Sequence, residues 1–400
     1  MHSEKYHVVV VGGGPVGAVA ARTAAENGAK VLVIEEHTQV GKPVKCTGLI
    51  SLRCFEGVGI DGRVVLREIK GGFLYAPNGE RLCIEAKGPK ILVIDRAGFD
   101  QALLEKTKNV DVHVKTGVRA IGQNDNILTL MDNGYKRTVQ AKVIIGADGP
   151  CSRIAKWAGL PPLKKMLFGL QVILPYKPER EDFLEVFFGK EIAPNFFGWA
   201  VPAEEGLARI GLATDDGKKM RSCLQRLLTR FSGNILEYNV GLIPLGIRAR
   251  TVADGIMVVG DAAGQVKPTS GGGLYTGITC AKMAGEVAAK CALNGDTSKE
   301  ALSEYEQRWR SLLERELYFG MLAHKLLCYL SDKDLNRIFK IMDDPEILEA
   351  IADYGDVDYP SILAREFIKR PRFWGRLLNL LPSNRIVTGI LDFFKPSKTA

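Results

Sequence analysis

The pattern Gly12-x-Gly14-x-x-Gly17 near the start of the chain is followed by Glu35 at the end of the next apolar run. Residue types in this order suit a dinucleotide. The first glycine permits a tight turn, the second lets backbone approach a pyrophosphate, and the third lets a helix meet a strand. Pro15 and Val16 open that helix, whose first N–H groups offer unpaired donors and partial positive charge to phosphates. Glu35 is placed to accept hydrogen bonds from the adenosine ribose hydroxyls. A short way on, PVKCTGLIS sets Cys46 between Lys45 and the pair Thr47-Gly48. A cysteine in a loop is by default a small apolar filler. A lysine whose charge faces the sulfur would instead make the thiol reactive. The loop follows Glu35 so soon that it is expected to run along the bound cofactor.

The elements around these residues must bring them together. HVVVV, residues 7–11, is a β-branched run closed by glycines, Pro15 to Asn27 reads as an alanine-rich helix stopped by Gly28, and KVLVIEE is a second buried strand. That is a parallel βαβ unit. Further strands of the same kind are expected at KILVID (90–95), VDVHVKTGVRAIG (110–122), KVIIGADG (142–149) and GIMVVGDAAG (255–264). GGFLYAPNGERLCIEA carries a hairpin signal at Pro77-Asn78-Gly79. Residues 166–245 alternate in the manner of an antiparallel sheet, and from about Ser298 the chain becomes helical. The expected fold is α/β: a Rossmann-like nucleotide domain from residues 1–72, 88–165 and 246–297, an inserted antiparallel-sheet substrate domain from 73–87 and 166–245, and a C-terminal helical region, 298–400.

Two later stretches choose the cofactor. VIIGADGPCSR (143–153), with Asp148, and GIMVVGDAAGQVKPTSGGGLYTG (255–277) resemble the second and third fingerprints of the flavoprotein superfamily that includes aromatic hydroxylases and geranylgeranyl reductases. The resemblance implies a hydroxylase-type FAD domain. It implies that Asp261 bonds the ribityl or ribose side of FAD and that Gly271 to Gly273 start a helix beneath the flavin. N–H groups of Gly273 and Leu274, with Gly272 before them, would stabilise negative charge on a reduced flavin. Arg96 in IDRAGFD stands where the superfamily usually has an arginine on FAD phosphate or ribityl oxygens; its competing use is an ion pair with Asp95 or Asp100. The strand through Val118, Arg119 and Ala120 is expected to pass the adenine with its backbone.

KCTGLIS is similar to the K-C-[ST]-G-x-x-S segment of archaeal geranylgeranyl reductases, and PNFFGWAVP (194–202) to that family's P-x-x-Y-x-W-x-F-P. Phe197 replaces the usual tyrosine and Val201 the usual phenylalanine. The resemblance implies an FAD-dependent reductase of geranylgeranyl chains in glycerophospholipids, with Cys46, Phe197 and Trp199 at the reacting centre and Cys46, Thr47 and Gly48 bordering the flavin. Phe187, Phe188 and Phe196 are further candidates to line a tunnel for the C20 chain, or to be plain sheet core. Two other readings stay open: an FAD monooxygenase on an aromatic or prenylated substrate, and a prenyl-lipid binding or escort protein without turnover. The electron donor stays open among ferredoxin, a deazaflavin and NADPH, since no second G-x-G-x-x-G occurs.

Composition narrows the rest. Eight cysteines without a C-x-x-C pair give no zinc pattern and fit a reducing, cytoplasmic setting. No metal site is expected. The net charge is +8, and six of the excess charges fall after Pro360. No nucleic-acid signature accompanies them. Phe373, Trp374, Leu377, Leu378 and Leu381, with Arg372, Arg376 and Arg385, form helical stripes that suit either packing on protein or peripheral contact with the inner face of a membrane.

Overall fold

A computed structural model describes residues 4–370. Strand β1 (Glu4–Val11) lies at the centre of a parallel arrangement, with Val31–Glu35 (β2) on one side and Tyr135–Gly146 on the other. The valine run has its cause in this position. Val8, Val9 and Val10 are wholly buried because both faces of the sheet are covered, and each contributes roughly 1.5 kcal/mol or more by leaving water. The sheet continues through Val112–Thr116 beyond β2 and through Ile256–Val258 and Val252–Ala253 at the other edge. Helix α1 (Pro15–Glu26) and the long helix Leu274–Asn294 cover one face.

These two helices touch through small residues. A methyl group added at Gly285 would come 2.5 Å from the Ala20 carbonyl, and one at Gly277 would come 2.7 Å from Val16. Close approach sets both helix N-termini, Pro15 and Leu274, at the same cleft.

A seven-stranded sheet stands against this unit, in the order Glu237–Leu245, Lys165–Pro175, Leu207–Thr214, Gly198–Pro202, Phe183–Phe187, Gly71–Tyr75 and Arg81–Glu85. The Pro77-Asn78-Gly79 turn forms the expected hairpin, with Gly79 at φ +91°, and one arm pairs in parallel with Phe183–Phe187. Helices from Lys299–Trp309 to Ser361–Ile368 complete the described chain.

Two strand expectations need correction. KILVID does not join the parallel sheet. Ile91–Ile94 pairs antiparallel with Leu49–Ser51 and Val65–Ile69 in a separate three-stranded sheet. An apolar run reports burial and leaves its partner undetermined. The run 110–122 is two strands, because Gly117 at φ +70° breaks it between Val112–Thr116 and Val118–Asn124. The stripes from Phe373 onward lie outside the described residues. None of the described helices is long and apolar enough to cross a membrane.

Candidate functional site

A cleft of about 670 Å³ runs between the parallel sheet and the antiparallel sheet. Its nucleotide end is made of backbone. Gly12 takes φ +108°, and a side chain there would strike the Ala147 carbonyl at 2.3 Å. A Cβ on Gly17 would lie 1.9 Å from the Gly12 carbonyl, so helix and turn meet only if both residues are glycine. Gly14 precedes α1 without a side-chain cap, which leaves the first N–H groups of the helix to a ligand. Pro15 and Val16 line the cleft beside them.

Glu35 accepts from the Gly13 N–H at 2.8 Å, the His37 N–H at 2.9 Å and His37 Nδ1 at 2.7 Å. These bonds fix the carboxylate at the mouth of the glycine turn. His37 was not evident in the sequence, because it serves Glu35 and no motif marks it. Val118, Arg119 and Ala120 line the same end, and Arg153 reaches the Ala120 carbonyl at 3.4 Å. Asp148 lines the cleft, but its carboxylate accepts from Ser152 Oγ and the N–H groups of Arg153 and Ile154, so it caps the helix that begins there.

Arg96 does two things at once. Its guanidinium forms a paired bond to Asp100 at 2.8 and 2.9 Å, and it also faces the cleft and Cys46. Burial opposes the charge, but the paired Asp100 carboxylate favours it and keeps the group above its ordinary value. Burial also raises Asp261, to about 6, with Arg96 pulling the other way. Asp261 sits in the turn Gly260–Ala263, and a side chain at Gly273 would meet its carboxylate at 2.9 Å. Gly273 and Leu274 line the cleft at the uncapped start of their helix; Gly272 stands behind them, against Lys267.

That turn is pinned from the far end of the chain. Lys267 Nζ donates to the Val357 carbonyl at 2.8 Å and to Asp358 at 2.7 Å. The Tyr275 and Tyr359 hydroxyls share a bond at 2.8 Å, and Arg53 grips Asp356 at 2.8 Å.

Cys46 lies in the cleft wall and its sulfur accepts from the Gly48 N–H at 3.4 Å. Gly48, at φ +79°, has no room for a side chain, because a Cβ would meet Arg209 Nη1 at 2.5 Å. The loop is fastened to the antiparallel sheet. Arg209, almost fully buried, donates to the carbonyls of Thr47 at 2.7 Å and Ile94 at 3.0 Å. Gln171 Oε1 accepts from Thr47 Oγ1 at 2.9 Å and from Trp199 Nε1 at 3.0 Å. Trp199 therefore orients Gln171 and does not line the cleft itself. Neither Gln171 nor Arg209 was evident as a site residue. The available signal was a lone amide in the apolar stretch FGLQVILP and a lone charge in LARIGLAT.

The aromatics divide. Phe187 stacks on Tyr75 in the core on the opposite side of the sheet, so it belongs to the sheet and not to a tunnel. Phe188, Phe197, Phe196 and Trp199 form a chain of ring contacts, with the Phe196 and Phe197 centroids 4.3 Å apart. The chain reaches the glycine turn, since a methyl at Gly271 would come within 3.1 Å of Ile243 and 3.6 Å of Phe196. His324, buried, with its pKa lowered by burial and by Lys165, backs Phe196.

The glycine cradle, two uncapped helix starts, the held Glu35 carboxylate and the half-buried Asp261 fit FAD along the length of the cleft. The fold and site thus define an FAD-binding flavoprotein of the hydroxylase type. The FAD binding domain family matches residues 5–184. The digeranylgeranylglycerophospholipid reductase of Methanothrix thermoacetophila is 34% identical over 85% of this chain and 92% of its own. That of Methanocaldococcus jannaschii is 33% identical over 92% of this chain and 96% of its own. A solved structure of a geranylgeranyl bacteriochlorophyll reductase-like protein from Thermoplasma acidophilum superposes with a TM-score of 0.83 at 25% identity, covering 95% of this chain and all of that one. The chain belongs to the digeranylgeranylglycerophospholipid reductase family.

Proposed function

We propose that the protein reduces C=C bonds in the geranylgeranyl chains of digeranylgeranylglycerophospholipids, the compounds for which its relatives are named. Bound FAD in its reduced form supplies hydride. The chain's own residues supply position, dryness and a proton. An isolated alkene is a poor hydride acceptor, so its carbon must be held stacked against the flavin and a donor must stand near the carbon beside it.

The observation that carries this reading is the Cys46–Gly48 loop, with its sulfur in the flavin cleft beside Arg96 and its backbone held by Arg209 and Gln171. In this proposal the Cys46 thiol gives the proton, and the neighbouring guanidinium steadies the charge left on sulfur. The stacked Phe196 and Phe197 rings keep water from the apolar chain and guide it toward the Gly271 turn.

The test is to reduce the holoenzyme anaerobically and add digeranylgeranylglyceryl phospholipid. Flavin absorbance is expected to return as lipid mass rises by two hydrogens for each double bond. Reduced flavin that persists beside unchanged lipid overturns the proposal.

A further inference from the structure

The strand Glu237–Leu245 closes one end of the seven-stranded sheet, and among the described residues only Lys165–Pro175 pairs with it. Its other edge borders the flavin cleft, where Val240, Gly241, Leu242 and Ile243 form part of the lining. Leading up to that rim is an apolar surface that water does not favour. Leu236 is 61% exposed, Tyr238 62%, Val240 54% and Phe168, opposite Leu242, 37%. Tyr238 and Val240 point to the same face of the strand, the face on which Phe168 also lies. Single exposed apolar side chains are ordinary, but a row along one unpaired edge running into a cleft marks a contact surface.

Charge says what kind of contact. Lys42 and Lys45 form the facing rim of the same cleft, are exposed, and make no ion pair among the described residues. Lys218 is exposed next to Gly217, which packs on the Phe168 ring. Asp215 and Asp216 are engaged by Asn195 and Lys219, and the exposed Glu237 alternates onto the face of the strand opposite Tyr238 and Val240. Apolar side chains flanked by unpaired lysines suit the boundary between acyl chains and anionic headgroups.

We infer that this edge, Leu236 to Val240 with Phe168 and the Lys42 and Lys45 rim, seats the protein on an anionic phospholipid bilayer, with the cleft mouth facing the lipid. The inference rests on the lipid substrate proposed above. A chain drawn from the bilayer then passes from the acyl layer along Val240 and Leu242 to the flavin without crossing water.

The test uses full-length holoenzyme and sedimentation with phosphatidylglycerol vesicles and with phosphatidylcholine vesicles. The protein is expected to sediment with the anionic vesicles and to bind the neutral ones at least tenfold more weakly. The double variant Leu236→Ser, Tyr238→Ser should keep the flavin spectrum and turn over detergent-dispersed lipid at the parent rate, yet lose about tenfold or more in vesicle binding. Lys42→Glu should weaken binding to anionic vesicles by about fivefold or more. Parent-like vesicle binding by the double variant overturns the inference. So does a dimer in vesicle-free buffer that the same two substitutions dissociate, since the edge would then be covered by a second copy of the chain. Failure of the parent to act on detergent-dispersed lipid would strike the substrate reading alone, because vesicle binding is read without turnover.

Discussion

At the nucleotide end of the cleft the backbone does the holding: Gly12, Gly14 and Gly17 lie within one turn and its helix, and Glu35 bonds back to Gly13 only 22 residues away. At the other end the Cys46 loop is held by side chains from distant strands. Thr47 meets Gln171 across 124 residues, and Arg209 meets Thr47 across 162 and Ile94 across 115. The backbone cradle has no room for a side chain at Gly12 or Gly17. A wall tied by side chains can change its chemistry while the cradle stays as it is. Such a division lets one fold carry more than one chemistry.

The comparison can be broken most forcefully at Gly17. Gly17→Ala forces a methyl to within 1.9 Å of the Gly12 carbonyl, so the purified protein is expected to carry no flavin by absorbance and to melt well below the parent. Arg209→Met attacks the opposite wall. It strands two carbonyls and should cost about 3 kcal/mol in a denaturant titration, within the range for breaking a buried charged network. Flavin should still bind while turnover falls about 100-fold. Loss of flavin together with turnover would show that the two ends are not separable.

Cys46→Ser is narrower. If the thiol gives the proton, single-turnover flavin reoxidation by lipid slows about 100-fold or more with FAD binding intact, within the usual range for a lost general acid. A parent rate would return the residue to packing.

The smallest effect is at Asp261. Because burial raises its carboxyl from 3.8 to about 6, the FAD-free fold holds a proton there that the unfolded chain gives up. The stabilisation is full below about pH 4 and is lost as pH rises through 6. Across that window the melting temperature of the FAD-free parent should fall relative to Asp261→Asn, which lacks this titration. Parallel curves would show that burial does not raise the group.

The same contrast explains what could be read from the sequence. The βαβ unit, the glycine turn, the start at Leu274 and the hairpin at Pro77-Asn78-Gly79 are local, and local spacing carries them. KILVID was legible as a strand, but its partners Leu49–Ser51 and Val65–Ile69 were not, because nothing in an apolar run names what it pairs with. Arg96 pairs with Asp100 and also lines the cleft, since a guanidinium has donors enough for two directions. Phe187 and Phe196 look alike in sequence and fall on opposite sides of one sheet, a difference fixed by strand phase and by the Asn195 backbone at φ +63°.

The pin on the flavin turn has a consequence for how the protein is made. Arg53 and Asp356 are 303 residues apart, and the carboxylates that engage Arg53 and Lys267 come from the segment Asp356–Tyr359. Synthesis runs from the N-terminus, so the glycine cradle leaves the ribosome long before the segment that fastens the other end of the cleft. A nascent chain can therefore present its nucleotide cradle early, but the flavin-ring end stays unfastened until the segment Asp356–Tyr359 has emerged, 303 residues after Arg53.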